Sequence, residues 1–116
     1  MSRHRVPSVR WWWLLVAASV LAIWPTCSDW QARQRGEEIF QQNCANCHEA
    51  SNLDLKKQPA KLEGLFQSKT LPSGAPATDE QVRKTIIQGI GTMPAFDQRL
   101  SDEDVNNLVK YLHDLK

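Results

Sequence analysis

Residues 37–50 read EEIFQQNCANCHEA. Cys44 and Cys47 stand three apart, and His48 follows the second thiol directly. On a helix that spacing puts both sulfurs on one face, a turn apart. Several chemistries use thiols this close. A dithiol redox pair belongs at a strand-to-helix junction, and nothing around residue 44 reads as a strand. A zinc site needs a fourth ligand, and beyond His48 the chain offers no further cysteine and only His113. A structural disulfide leaves His48 without a role. Cys44-Ala-Asn-Cys47-His48 also has the C-x-x-C-H form that attaches a haem covalently. Each thiol can add to one vinyl group on the porphyrin edge, and the next imidazole then points beneath the ring toward iron. The motif favours this last reading without excluding the others.

A six-coordinate iron needs a ligand on its second face. Downstream the chain has one methionine, Met93, in GIGTMPAF (residues 89–96). Gly89 and Gly91 let the backbone turn close to a flat ligand, and Pro94 stiffens the chain just after the thioether. A lone methionine is ordinarily core filler, but this setting points to ligation instead. Thioether ligation raises the reduction potential relative to two imidazoles. His113, beside Asp114 near the C-terminus, is the rival ligand and reads as a solvated side chain. His4 lies in the N-terminal leader, out of reach.

The leader is set apart by composition. All five tryptophans (Trp11, Trp12, Trp13, Trp24 and Trp30) lie in the first thirty residues. Arg3, Arg5 and Arg10 precede fourteen apolar or small residues, Trp11 to Trp24. A basic flank before an apolar run describes an export signal. The run is shorter than the roughly 20 residues that span a bilayer comfortably, yet its terminal tryptophans suit the two interfaces. Residues 1–27 are therefore expected to act as an uncleaved anchor. Cleavage near Thr26 and Ser28, or lipid attachment at Cys27, are the other two outcomes. Each leaves the rest of the chain on the periplasmic side of a bacterial inner membrane.

Residues 28–36, SDWQARQRG, read as a flexible polar tether, giving a leader over 1–27, a tether over 28–35 and a domain over 36–116. A short helix is expected over about 37–46, with Ile39 and Phe40 as its apolar contacts. Pro59, Gly64, Pro72, Gly74 and Pro76 punctuate a loop-rich stretch from 49 to 77. Thr78 opens a second helix, with Gln81 as capping-box partner, and Val82, Ile86, Ile87 and Ile90 form its apolar face. Ser101 opens the last helix, whose first turn holds Asp102, Glu103 and Asp104, where the helix dipole favours acids. Val105, Leu108, Val109, Leu112 and Leu115 repeat at helical spacing. No stretch alternates like a strand, so the domain reads as all-α with long connections. Residues 31–116 hold 21 large apolar residues, a thin core that a bound group would complete. Net charge is +1 overall, which offers no basic face for nucleic acid.

From residue 36 to 116 the chain resembles the class I, single-haem cytochrome c family. Gly36 and Phe40 match the first helix of that family, whose glycine lets the C-terminal helix cross closely. Tyr111 in LVKYLHDLK matches the aromatic of the last helix and is expected to meet Phe40. QPAKLEGLF is similar to the loop after the haem motif, where a proline carbonyl accepts the proximal histidine's hydrogen bond. The resemblance assigns that role to Pro59, although one extra residue separates Pro59 from Leu62. TMPAF matches the distal-methionine loop. The family's tryptophan beside a haem propionate has no counterpart in residues 31–116.

The resemblance implies a small cytochrome c fold wrapped around one covalent haem c. Its attachment and ligand set would be Cys44, Cys47, His48 and Met93, with iron bound by His48 and Met93. The implied function is electron transfer with membrane or periplasmic redox proteins, the chain meeting the membrane through its N-terminal segment. With both axial positions filled, catalysis lacks an open coordination site. The alternatives are a haem enzyme or small-ligand sensor with labile Met93, and a haem subunit of a larger dehydrogenase or oxidase.

Overall fold

The computed structural model describes residues 24–50 and 58–116, with side chains from residue 28 onward. The secondary structure among these residues is helical: α1 (Trp24–Asn43), α2 (Ala45–His48), a 3₁₀ turn (Leu65–Gln67), α3 (Asp79–Gln88) and α4 (Asp102–Asp114). Strand pairing among them is limited to two isolated bridges, Thr70 with Pro76 and Ile90 with Met93. The fold is the expected all-α one, and its compact unit is Gln31–Lys116. The apolar run before Trp24 lies outside the described residues.

α1 begins well before residue 37 and carries the stretch expected to be a tether as helix. Gln31, Ala32, Arg33, Gln34, Arg35, Glu37 and Glu38 are all good helix formers. They are polar on every side, however, so no apolar period announces them. Trp30 on this helix is 63% exposed. Within the compact unit α1 buries only Gly36, Ile39 and Phe40.

Those three residues meet α4. A Cβ placed on Gly36 would lie 2.1 Å from the Asn107 carbonyl oxygen and 2.7 Å from the Tyr111 Cβ. Only hydrogen fits there, so the two helices cross with backbone nearly touching. Phe40 and Tyr111 then meet as expected, ring centroids 5.4 Å apart and planes tilted by 49°. Ion pairs flank the crossing, Arg33 to Asp114 at 3.1 Å and Arg35 to Asp104 at 3.3 Å. The arginine side chains are about half exposed, so each pair contributes at most about 1 kcal/mol. The apolar contact sets the crossing.

α4 starts in a reciprocal capping box. The Asp104 N–H donates to Ser101 Oγ at 3.1 Å, and the Ser101 N–H donates to Asp104 Oδ2 at 3.2 Å. Val105, Leu108, Val109 and Leu112 form its buried face. α3 is capped by Thr78, whose hydroxyl accepts from the Gln81 N–H at 3.4 Å. It buries Val82 and Ile86. Ile90 departs from expectation. The helix ends at Gly89, which turns the chain with φ +69°, and Ile90 beyond it is 53% exposed. Leu65, Leu71 and Phe96 add the loop contribution to the core. Cys44, Leu62, Phe66 and Met93 lie at its margin, half-buried.

Candidate haem site

Cys44 sits at the joint between α1 and α2, not inside one continuous helix. Its N–H still donates to the Phe40 carbonyl at 2.8 Å. Its own carbonyl accepts twice, from the Cys47 N–H at 3.1 Å and the His48 N–H at 2.9 Å. The helical winding therefore passes through the joint, and the two thiols stay one turn apart. Cys44 is half-buried and Cys47 exposed. Burial, and then the neighbouring Cys47, push the Cys44 thiol up to about 11.

His48 is held from the loop. Its Nδ1 lies 2.7 Å from the Ala60 carbonyl oxygen. A carbonyl can only accept, so the proton sits on Nδ1 and Nε2 keeps the lone pair a metal needs. The carbonyl bonded to His48 is thus that of Ala60 and not that of Pro59, which the resemblance implied. The extra residue between Pro59 and Leu62 moves the usable carbonyl one position along the chain. Pro59 is half-buried immediately before it and fixes φ in the segment that presents this oxygen.

Met93 sits in a loop pinned at both ends. The Ile90 N–H donates to the Met93 carbonyl at 3.1 Å, and the Met93 N–H returns to the Ile90 carbonyl at 2.9 Å. Gly91, at φ +59°, takes the first central position of this tight turn. A Cβ on Gly89 would lie 2.5 Å from the Met93 oxygen and 2.8 Å from the Ala95 nitrogen. Glycine there lets the end of α3 lie against the methionine loop. Downstream, the Phe96 N–H donates to the Ile86 carbonyl at 3.1 Å, and Phe96 is buried. The thioether is therefore carried at the core margin on a loop tied by backbone hydrogen bonds on both sides.

His113 is engaged elsewhere. Its Nε2–H donates to Asp79 Oδ1 at 2.7 Å, and its ring lies flat on Phe66, centroids 3.7 Å apart and planes 12° apart. Ligation by His113 would break both contacts. Among the described residues no three His, Cys, Asp or Glu side chains group as metal ligands. The residues do fit a haem: two thiols at helical spacing, an imidazole with Nε2 available, and a methionine on a tight loop. The contacts of Ala60 and Phe66 carried no local signal in the sequence, whereas Gly89 was read there as a glycine that turns the backbone.

Comparison with known proteins agrees. A family model described as cytochrome c oxidase, cbb3-type, subunit III matches residues 31–112. Cytochrome c6 of Picosynechococcus sp. is 35% identical over 83 residues, covering 68% of this chain and 69% of that protein. The crystal structure of cytochrome c6 from the diatom Phaeodactylum tricornutum superposes with a TM-score of 0.51 at 34% identity. That match covers 68% of this chain and 87% of the other. The cbb3-type cytochrome c oxidase subunit CcoP of Azospirillum brasilense is 31% identical over 108 residues, covering 86% of this chain but only 34% of its own length. A C-x-x-C-H motif at helical spacing, a glycine-mediated helix crossing and these relatives together establish that the chain belongs to the class I, single-haem cytochrome c family, whose cofactor is one covalently attached c-type haem.

Proposed function

We propose that this chain is a one-electron carrier whose haem is bound through Cys44 and Cys47 and ligated by His48 and Met93. When bound, the haem supplies an iron that alternates between ferric and ferrous states. The observation that carries the reading is the His48–Ala60 hydrogen bond. It directs Nε2 away from the loop, fixes the tautomer, and raises the basicity of the ligand. Met93 supplies a thioether, which favours ferrous iron. A rigid pair of ligands keeps coordination the same in both oxidation states and leaves no position for substrate. The chain transfers electrons and is not an enzyme in its own right. Acid–acetone extraction of the purified protein tests the attachment. Colour should stay with the protein; haem passing into the organic phase would overturn it.

The same reading places the haem domain on the periplasmic side of an inner membrane, retained by residues 1–27. Support comes from the basic flank, the apolar run and its tryptophans. The CcoP match also covers more of this chain than lies after residue 23, so it runs into the leader. No helix among the described residues is long and apolar enough to cross a membrane. Retention near the membrane would raise the effective concentration of the carrier for membrane-bound partners.

A second reading has its own support. Both the matching family model and the CcoP relative are oxidase subunits, so this chain would lend its haem to a larger complex. Native electrophoresis of mildly solubilised membranes separates the two. A haem-staining band at the mass of the chain alone favours the carrier, and one at several times that mass favours the subunit.

A further inference from the structure

His113 is the histidine of the compact unit that the proposed ligand set leaves unused. Its two contacts are both specific and both reach other elements. Asp79, the first residue of α3, takes the Nε2–H at 2.7 Å, and this bond fixes the angle of the ring. The fixed ring lies parallel to Phe66, 3.7 Å away. Phe66 belongs to the 3₁₀ turn, six residues after the carbonyl that holds His48.

The segment from Gln58 to Gln67 has little backbone pairing of its own. The Leu65 N–H bonds back to Leu62 at 3.2 Å, and the Gln67 N–H to Gly64 at 3.1 Å. Two of its external ties reach the C-terminal end of α4 and the residue just past it. The Gly64 N–H donates to the Leu115 carbonyl at 3.0 Å, and Phe66 rests on His113. At its other end the same segment presents the Ala60 oxygen to His48 at 2.7 Å. The end of α4 thus backs the segment whose front orients the ligand. α4 itself does not depend on His113, because Leu108, Val109 and Leu112 are buried without it.

We propose that His113 is a positioning residue for the proximal side of the haem: clamped by Asp79 and stacked on Phe66, it holds the 58–67 segment so that the Ala60 carbonyl stays on His48. This inference rests on His48 being the axial ligand. The clamp acts on the potential through ligand basicity, since a firm acceptor at Nδ1 enriches the imidazole and favours ferric iron.

The test uses the haem-loaded full chain and two variants. His113→Leu removes the hydrogen bond and the stack at similar size. Asp79→Asn keeps an acceptor for the Nε2–H and serves as the conservative control. NMR exchange of the His48 Nδ1–H and the reduction potential are measured under conditions where the Met93 sulfur band is intact. For His113→Leu the exchange should quicken by roughly tenfold, equivalent to about 1.4 kcal/mol of local opening, and the potential should rise. Asp79→Asn should remain close to wild type in both. If His113→Leu lowers the melting temperature while His48 exchange and potential stay unchanged, its role is structural and the proposal fails. Should that variant not take up haem, Phe66→Leu is judged on the same two readouts. A wild-type protein in which His48 does not ligate iron overturns the ligand assignment itself, and that result appears before any variant is made.

Discussion

Replacing Gly36 by alanine adds one methyl group to the crossing of α1 and α4. The new Cβ would lie 2.1 Å from the Asn107 oxygen, 2.8 Å from the Asn107 carbonyl carbon and 2.7 Å from the Tyr111 Cβ. Ordinary contact begins near 3.4 Å. Two of these three atoms are backbone, so no rotamer change relieves the overlap and the helices must part. Parting loosens the contact of Phe40 with Tyr111, where Phe40 is one of the most deeply buried side chains. Overpacking of this kind costs about 1–3 kcal/mol, and more where backbone must move. Alanine recovers up to about 1 kcal/mol through its helix propensity. Because the helices themselves must part, the upper end of that range applies and the net loss is roughly 2–3 kcal/mol, which for a domain of this size lowers the melting temperature by on the order of 10–20 °C. Gly74→Ala is the control. It has φ +86° and nothing within 4 Å of a new Cβ, so it carries only torsional strain, about 1–2 kcal/mol. Thermal and denaturant unfolding of the haem-loaded proteins, followed by circular dichroism, compares the two. A Gly36→Ala protein as stable as wild type would refute the close-crossing argument.

Removing the α4 cap with Ser101→Ala should cost about 1 kcal/mol at neutral pH, read by the same unfolding assay. The Ser101 hydroxyl and N–H, and then Arg35, hold the Asp104 carboxyl below its ordinary range. The hydroxyl's share of this is present above the ordinary carboxylate value of 3.8 and is lost as the pH falls below it, so the gap between the two proteins should narrow in acid, leaving the part due to the Asp104 N–H to Ser101 Oγ bond. For the leader, membrane fractionation followed by intact-mass measurement should find the full-length chain in the membrane. A soluble product starting near Asp29 would show cleavage instead, and a membrane product starting at Cys27 with added acyl mass would show lipidation.

What the sequence disclosed and what it hid divide along physical lines. Val82 with Ile86 and Val105 with Leu108, Val109 and Leu112 face a core, so their period is visible. Thr78 and Ser101 cap helices through side chains only a few residues away, and their signal is local too. The first half of α1 was hidden because a solvated helix needs no apolar stripe, so SDWQARQRG looked like tether while forming helix. Ile90 kept the period but fell past Gly89, where the chain leaves the helix and the pattern no longer describes a face. The two pairings that shape the proximal side, His48 with Ala60 and His113 with Phe66 and Asp79, join residues 12 to 47 positions apart. No spacing rule encodes them. One inserted residue was enough to shift the acceptor from Pro59 to Ala60, because a backbone carbonyl leaves no mark in the side-chain pattern.

The central claim, His48 and Met93 on the two faces of one haem, is met most directly by the red-end absorption of the oxidised protein. Sulfur bound to ferric iron gives a weak band there. The wild type should show it, Met93→Ala should lose it, and Met93→His should keep the fold while lowering the potential, since imidazole favours ferric iron more than thioether does. A wild-type spectrum without the band, or a Met93→Ala spectrum that retains it, would contradict the account.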